Sequence, residues 1–256
     1  MQPTPEASGG SVAWSVITSD SLPTRLAARA GGALIERDLK SAFRRVVWVG
    51  DPPEAPADRP VVIYANHHAY FDSFLLWRLI ARTLERPFIV WMEKWDAVPL
   101  FGPIGALPFP PQDPKRRMRT IRETARRMSA SPAVLLLYPE GELRPPDSGL
   151  GPWRTDVDRL ARLLPPEAAW WPVGVRVTDW GHARPTALLA AGDLHEIPDG
   201  SERQRLQAVL DRLREARPEH LASGAAHVLL EGKQGPDEQW DLSRLGPLFR
   251  RLTPGA

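Results

Sequence analysis

The clearest rhythm in the chain is a short apolar run, Val61-Val62-Ile63-Tyr64, closed by Pro60 on one side and polar residues on the other. Its β-branched and aromatic content and its length predict a buried strand. From Asp72 the spacing changes to that of a helix, through Phe74, Leu75, Leu76, Leu79, Ile80 and Leu84, and ends before Pro87. The alternation then repeats. Arg45–Val49 precedes these two segments as a short strand, and Phe88–Met92 follows as another; Lys115–Met128 is helical, with Met118, Ile121, Ala125 and Met128 on one face. Val134–Tyr138, Trp171–Val177 and Leu188–Ala190 complete the strands, the last as the final one. Strands separated by helices predict an α/β fold with a largely parallel mixed sheet flanked by helices.

Both ends carry helical patterns of their own. Met1–Gly10 has the composition of a mobile leader. Between Thr24 and Phe43, Leu26, Ala30, Ala33, Leu34 and Ala42 recur among basic residues, with Thr24 as a cap behind Pro23 and Gly31 and Gly32 weakening the helix. This amphipathic segment either packs on its own domain or lies as an arm on anionic lipid. Near the other end, Ser201 and Gln204 form a capping-box pair ahead of Leu206, Val209, Leu210 and Leu213, and a second stripe runs from Leu242 to Leu252. The expected organisation is a leader and arm over 1–44, a core over 45–195 and a helical extension over 196–256.

Composition narrows the function. Hydrophobic residues make up 43% and charged residues 25% of 256, which excludes a disordered or multi-spanning membrane chain. The 33 basic and 31 acidic residues leave a charge of +2, too small a surplus for a dedicated nucleic-acid binder. With no cysteine there is no thiolate nucleophile, disulfide or cysteine-ligated metal. No apolar run reaches the roughly 18 residues that span a bilayer, and no signal-like start is present. The expected location is cytoplasmic, peripheral on the inner face of the membrane. Ten tryptophans are many for this length, and in the Trp170-Trp171 pair one ring is expected to face the membrane.

The candidate chemistry sits in Asn66-His67-His68-Ala69-Tyr70-Phe71-Asp72, between a strand and a helix. On an unbroken helix His67 and Asp72 would diverge by roughly 140°, so they meet only if His67 lies on a loop that turns back. The carboxylate then fixes the imidazole tautomer and leaves the other nitrogen free as a base. The rival readings are a loop histidine bonded to backbone with Asp72 as a helix cap, and a metal site, for which further ligands are lacking. No G-x-S-x-G, Walker or G-x-G-x-x-G motif is present.

Four blocks in order resemble the glycerolipid acyltransferase superfamily, from about Arg45 to Ala191. Asn66, His67 and Asp72 match its N-H-x4-D block. Lys94, Pro99, Phe101 and Gly102 match the approach to its second, Tyr138-Pro139-Glu140-Gly141 its F-P-E-G block, and Trp171-Pro172-Val173 its Val-Pro-Val. The resemblance implies that His67 deprotonates an acceptor hydroxyl with Asp72 as its partner, and that the hydroxyl attacks the thioester of acyl-CoA or acyl carrier protein. It also implies substrate contacts from Asn66, Lys94, Glu140, Gly141 and Arg144, no cofactor, a lipid acceptor and a membrane surface as partner. Two departures stand out: Gln112 lies where phosphate-handling members carry an arginine after Phe109, with Arg116 or Arg117 as a substitute by a different route, and Glu142 replaces a neutral hydroxyl residue. They favour a neutral or glycosylated acceptor over lysophosphatidic acid. The alternatives are 1-acylglycerol-3-phosphate acyltransferase activity proper, hydrolysis by the same pair, and a non-catalytic lipid-binding homologue. The basic run Lys115–Arg127 is either a solvated helix face or a contact for anionic headgroups or CoA phosphates.

Overall fold

The computed structural model describes residues 22–239. Its centre is an eight-stranded sheet: β1 (Arg45–Val49), β2 (Val61–Ala65), β3 (Phe88–Met92), β4 (Ala106–Pro108), β5 (Val134–Leu137), β6 (Ala169–Thr178), β7 (Thr186–Ala191) and β8 (Ala226–Glu231), in the order β4-β3-β5-β2-β6-β7-β1-β8. The run from β4 to β6 is parallel throughout, β7 turns back antiparallel to β6, and β8 is antiparallel to β1. All five residues of β2 are buried. This explains the unbroken apolar run there, since a central parallel strand is covered on both faces.

Helices cover the two faces unequally. On one face α1 (Leu22–Ala42) and α2 (Asp72–Arg78) pack with Ile35, Leu39, Leu75 and Trp77 against Val61, Ile63 and Ala65 of β2. On the other, α3 (Pro114–Ala130), α4 (Val157–Ala161) and α5 (Glu202–Glu215) pack with Met128, Leu160, Leu206 and Leu210 against Val62 and Tyr64. Two short helices, α6 (Glu219–Ala222) and α7 (Pro236–Gln239), flank β8. The α1 helix is docked on its own domain. Gly31 and Gly32 bring it against Ile104 and Trp77, where an added Cβ would lie 3.1 and 3.0 Å from those side chains. Its opposite side still exposes Leu22, Leu26 and Leu34.

Several expectations are corrected. The segment after residue 195 is not purely helical, because β8 joins the sheet beside β1, so Leu188–Ala190 does not lie in the final strand. Ser201 makes no side-chain cap to α5; Glu202 instead accepts from the Asp199 N–H at 2.6 Å. Thr24 lies inside the first turn of α1, which begins at Leu22. Neither Trp170 nor Trp171 faces a membrane. They are 2% and 4% exposed, one in each core layer, because β6 is covered on both sides. The leader and the stripe from Leu242 to Leu252 lie outside the described residues.

Candidate active site

The parallel register places the candidate residues. Tyr64 of β2 pairs with Leu137 of β5, so three residues beyond, past the strand ends, His67 arrives beside Glu140. The carboxyl edge of a parallel sheet is where crevices open.

Asp72, in the first turn of α2 and 1% exposed, organises the loop. Its Oδ2 accepts from His67 Nδ1 at 3.1 Å, from the His68 N–H at 2.6 Å and from the Ala69 N–H at 2.8 Å. The two backbone bonds fold the loop back over the helix start, and the third holds the imidazole. With Nδ1–H donated to the carboxylate, Nε2 is the ring nitrogen left to act as a base. The His67 side chain is 26% exposed, open to substrate while its partner is not.

His67 also has an aromatic support. The Tyr138 ring stacks on it with centroids 4.2 Å apart and planes at 17°, and the Tyr138 hydroxyl lies 3.0 Å from Ser73 Oγ. Burial pushes the Tyr138 hydroxyl well above its ordinary pKa, so it stays neutral. This contact was not foreseen. The only signal was an aromatic where a buried strand meets a polar loop. His68 is held toward its neutral form by burial, against the opposing pull of Glu140, Asp72 and the Gly149 backbone.

The residues expected to touch substrate divide. Asn66 is 0% exposed, and its amide is spent on β6: Nδ2 donates to the Val175 carbonyl at 2.9 Å and Oδ1 accepts from the Val175 N–H at 2.8 Å. It fastens β2 to β6. Glu140 is likewise turned inward. Its Oε2 accepts from the Gly151 N–H at 2.7 Å, and its Oε1 lies 3.4 Å from the His67 N–H. Both placements have one cause: a buried carboxylate or amide must satisfy itself with protein groups. Gly141 adopts φ +66° to close the turn in which its N–H donates to the Tyr138 carbonyl, and it is exposed at the edge. The Arg144 N–H donates to the His67 carbonyl at 2.9 Å, which puts the 141–151 loop across the site. Lys94, just beyond β3, is exposed at the same edge and makes no side-chain hydrogen bond or ion pair among the described residues.

The two departures also look different in place. Glu142 pairs with Arg144 at 2.9 Å and with Arg154, and Arg144 also lies 3.7 Å from Glu140, so two carboxylates share two guanidiniums. Near Phe109, α3 delivers a guanidinium that the local sequence lacks. The Arg117 Cζ lies 4.6 Å from the centroid of the Phe109 ring, which itself stacks on Trp91 at 4.4 Å.

Comparison with known proteins bears on this site. A family model described as Acyltransferase matches residues 47–176, which include the His67-Asp72 pair and the Tyr138–Gly141 turn. The chain belongs to the acyltransferase family. This acyltransferase is similar to the crystal structure of PlsC, the 1-acyl-sn-glycerophosphate acyltransferase from Thermotoga maritima. The TM-score is 0.52 at 17% identity, covering 78% of this chain and 85% of that one. A comparison with curated proteins gives no match. Among the described residues of the acyltransferase, no helix is long and apolar enough to cross a membrane.

Proposed function

We propose that this acyltransferase moves an acyl group from a thioester donor to the hydroxyl of a lipid-like acceptor, with His67 Nε2 as general base and Asp72 as its orienting partner. The observation that carries the proposal is the three-bond anchoring of Asp72, which fixes the His67 tautomer at an open sheet edge. The acceptor supplies its own nucleophilic oxygen. Its proton passes to Nε2, the oxygen bonds to the thioester carbon, the C–S bond breaks, and the imidazolium returns the proton to the leaving thiolate. The donor is acyl-CoA or acyl carrier protein, and no cofactor takes part.

The acceptor class includes the phosphate-bearing alternative that the sequence left open. With Glu142 held in ion pairs to Arg144 and Arg154 and Arg117 brought to Phe109, the electrostatic case against a phosphate-bearing acceptor is weakened. Lysophosphatidic acid, the substrate in the name of the Thermotoga protein, stands beside neutral lipid alcohols. Membrane contact is supported by the exposed apolar side chains Leu22, Leu26 and Leu34 of α1, and by the exposed Tyr70, Val98 and Leu100. On the outer side of α1, Arg29, Arg37 and Lys40 accompany Leu22 and Leu26, a mixture suited to anionic lipid.

The test is thiol release from acyl-CoA and from acyl carrier protein with lysophosphatidic acid and a panel of neutral lipid alcohols, the product identified by mass spectrometry. Release that depends on one acceptor and yields its ester supports the reading. Thiol release that is independent of every acceptor makes the protein a hydrolase and refutes it.

A further inference from the structure

One edge and one face of the His67 ring are fixed from the first turn of α2. Asp72 holds the edge, 3.1 Å from Nδ1, and the next residue, Ser73, tethers Tyr138, whose hydroxyl lies 3.0 Å from Ser73 Oγ. Tyr138 lays its ring on the imidazole, with centroids 4.2 Å apart and planes at 17°. Its far end is bonded, so the face it presents to His67 is set by the protein around it.

The angle sets this contact apart. Other ring pairs among the described residues meet at 45° to 85°. The exception, Trp91 on Phe109 at 12°, carries the Arg117 guanidinium 4.6 Å from the Phe109 centroid. A second tyrosine–histidine pair supplies the contrast: Tyr64 meets His195 at 78°, with its hydroxyl 3.0 Å from Nε2. Neutral rings favour edge-on or offset contacts, because the ring face is negative and the edge positive. A ring that becomes positive is drawn to the face. His67 becomes such a ring each time it takes a proton from the acceptor.

The charged groups around His67 act elsewhere on it. Asp72 stands at the Nδ1 edge; Glu140 Oε1 lies 3.4 Å from the His67 N–H, and the Arg144 N–H donates to the His67 carbonyl. His68 beside it is held toward its neutral form by burial. Burial also keeps the Tyr138 hydroxyl un-ionised, so Tyr138 acts through its ring face and not as a phenolate.

We infer that Tyr138 is a positioning residue for the proposed acyl transfer: its ring face stabilises the imidazolium that forms on His67 as the acceptor hydroxyl gives up its proton. No bond to Tyr138 forms or breaks. The inference rests on His67 as the base and adds to Asp72 a second stabiliser of its charge.

The experiment changes the electrons of the ring at nearly constant shape. Tyr138→Phe is compared with mono-, di- and trifluorinated phenylalanine at the same position, introduced by nonsense suppression, and with Tyr138→Leu. Each fluorine withdraws density from the ring face. Equal thermal midpoints establish that the variants fold; if Tyr138→Phe does not, mono- and difluorinated tyrosine keep the hydroxyl bond to Ser73 and carry the same series. Two readouts are taken: kcat and KM for transfer from palmitoyl-CoA to a lipid alcohol that wild type accepts, and the pH titration of the His67 Cε1–H signal by NMR, assigned by its loss in His67→Gln. The expected result is a stepwise fall in kcat, about tenfold from Tyr138→Phe to the trifluorinated ring, with KM within about threefold. The His67 signal titrates at progressively lower pH along the series. Packing alone is indifferent to fluorination, so a constant kcat, a loss confined to KM or a titration that stays in place would each overturn the inference. If wild type transfers no acyl group the proposed reaction fails, and the NMR arm still decides whether the ring stabilises the charge on His67.

Discussion

Replacing Asp72 by Asn changes one charge in a buried place and leaves the shape intact. The carboxylate accepts from His67 Nδ1 and from the N–H groups of His68 and Ala69 through a single oxygen, while Oδ1 is buried without a partner. An amide whose oxygen keeps those three bonds must place its NH2 where Oδ1 lies, and an unsatisfied buried donor costs about 1–3 kcal/mol of stability. The larger effect falls on catalysis. When His67 takes the proton, the carboxylate faces an imidazolium at a charge separation of about 4 Å, which at an effective dielectric of about 20 is worth about 4 kcal/mol, or about a thousandfold in rate. The imidazole is partly exposed, and solvent screening reduces this, so Asp72→Asn should lower kcat about 10²- to 10³-fold. KM should stay within about threefold, since Asp72 is not at the surface where substrate binds. The assay is thiol release under saturating acceptor, with circular dichroism and thermal melting to establish that the variant is folded. A folded variant that loses less than about fivefold in kcat would refute the claim that Asp72 stabilises a proton on His67.

Three further outcomes follow from the same geometry. Tyr138→Leu should lower kcat about tenfold by removing the ring under His67, whereas Tyr138→Phe should stay within about threefold; equal losses in steady-state kinetics would assign the effect to the Ser73 hydrogen bond instead. Gly105 has φ +110°, and a Cβ there would lie 1.9 Å from the Phe88 carbonyl oxygen, so Gly105→Ala should cost at least about 3 kcal/mol in urea unfolding. Burial depresses the His68 pKa in the folded state, so the unfolded chain binds the extra proton first. Its contribution is fully present above the ordinary histidine pKa of about 6.5 and is lost as pH falls below it. His68→Gln should flatten the corresponding part of a plot of melting temperature against pH between about 5 and 7.

The sheet was legible because its central strands are buried on both faces and carry short, unbroken apolar runs. Residues 61–65 and 134–137 read as strands on composition alone. β4 and β8 were not. Ala106-Leu107-Pro108 is too short for any period, and Ala226–Glu231 is an edge strand whose exposed side interrupts the apolar pattern. The His67-Asp72 pair was legible because a fixed spacing carries it. The roles of Asn66 and Glu140 were not, because an amide or carboxylate near a catalytic loop looks the same in sequence whether it faces substrate or the backbone of the neighbouring strand. The compensation of Glu142 was hidden for a related reason: Arg154 is twelve residues away and arrives only when the loop closes. The tryptophan pair misled because sheet alternation alone does not say that both faces of β6 are covered.

The central claim is that the His67 imidazole removes the proton of the acceptor hydroxyl. It is tested most directly by incubating wild type and His67→Ala with a ¹⁴C-labelled acyl thioester and an accepted lipid alcohol, then quantifying the labelled ester. The account predicts ester formation by wild type and at least about a thousandfold less by His67→Ala, with an unchanged melting temperature, because the ring is supported by Tyr138 and Asp72 rather than buried in either core layer. Ester formed by a folded His67→Ala protein within about tenfold of the wild-type rate would contradict it.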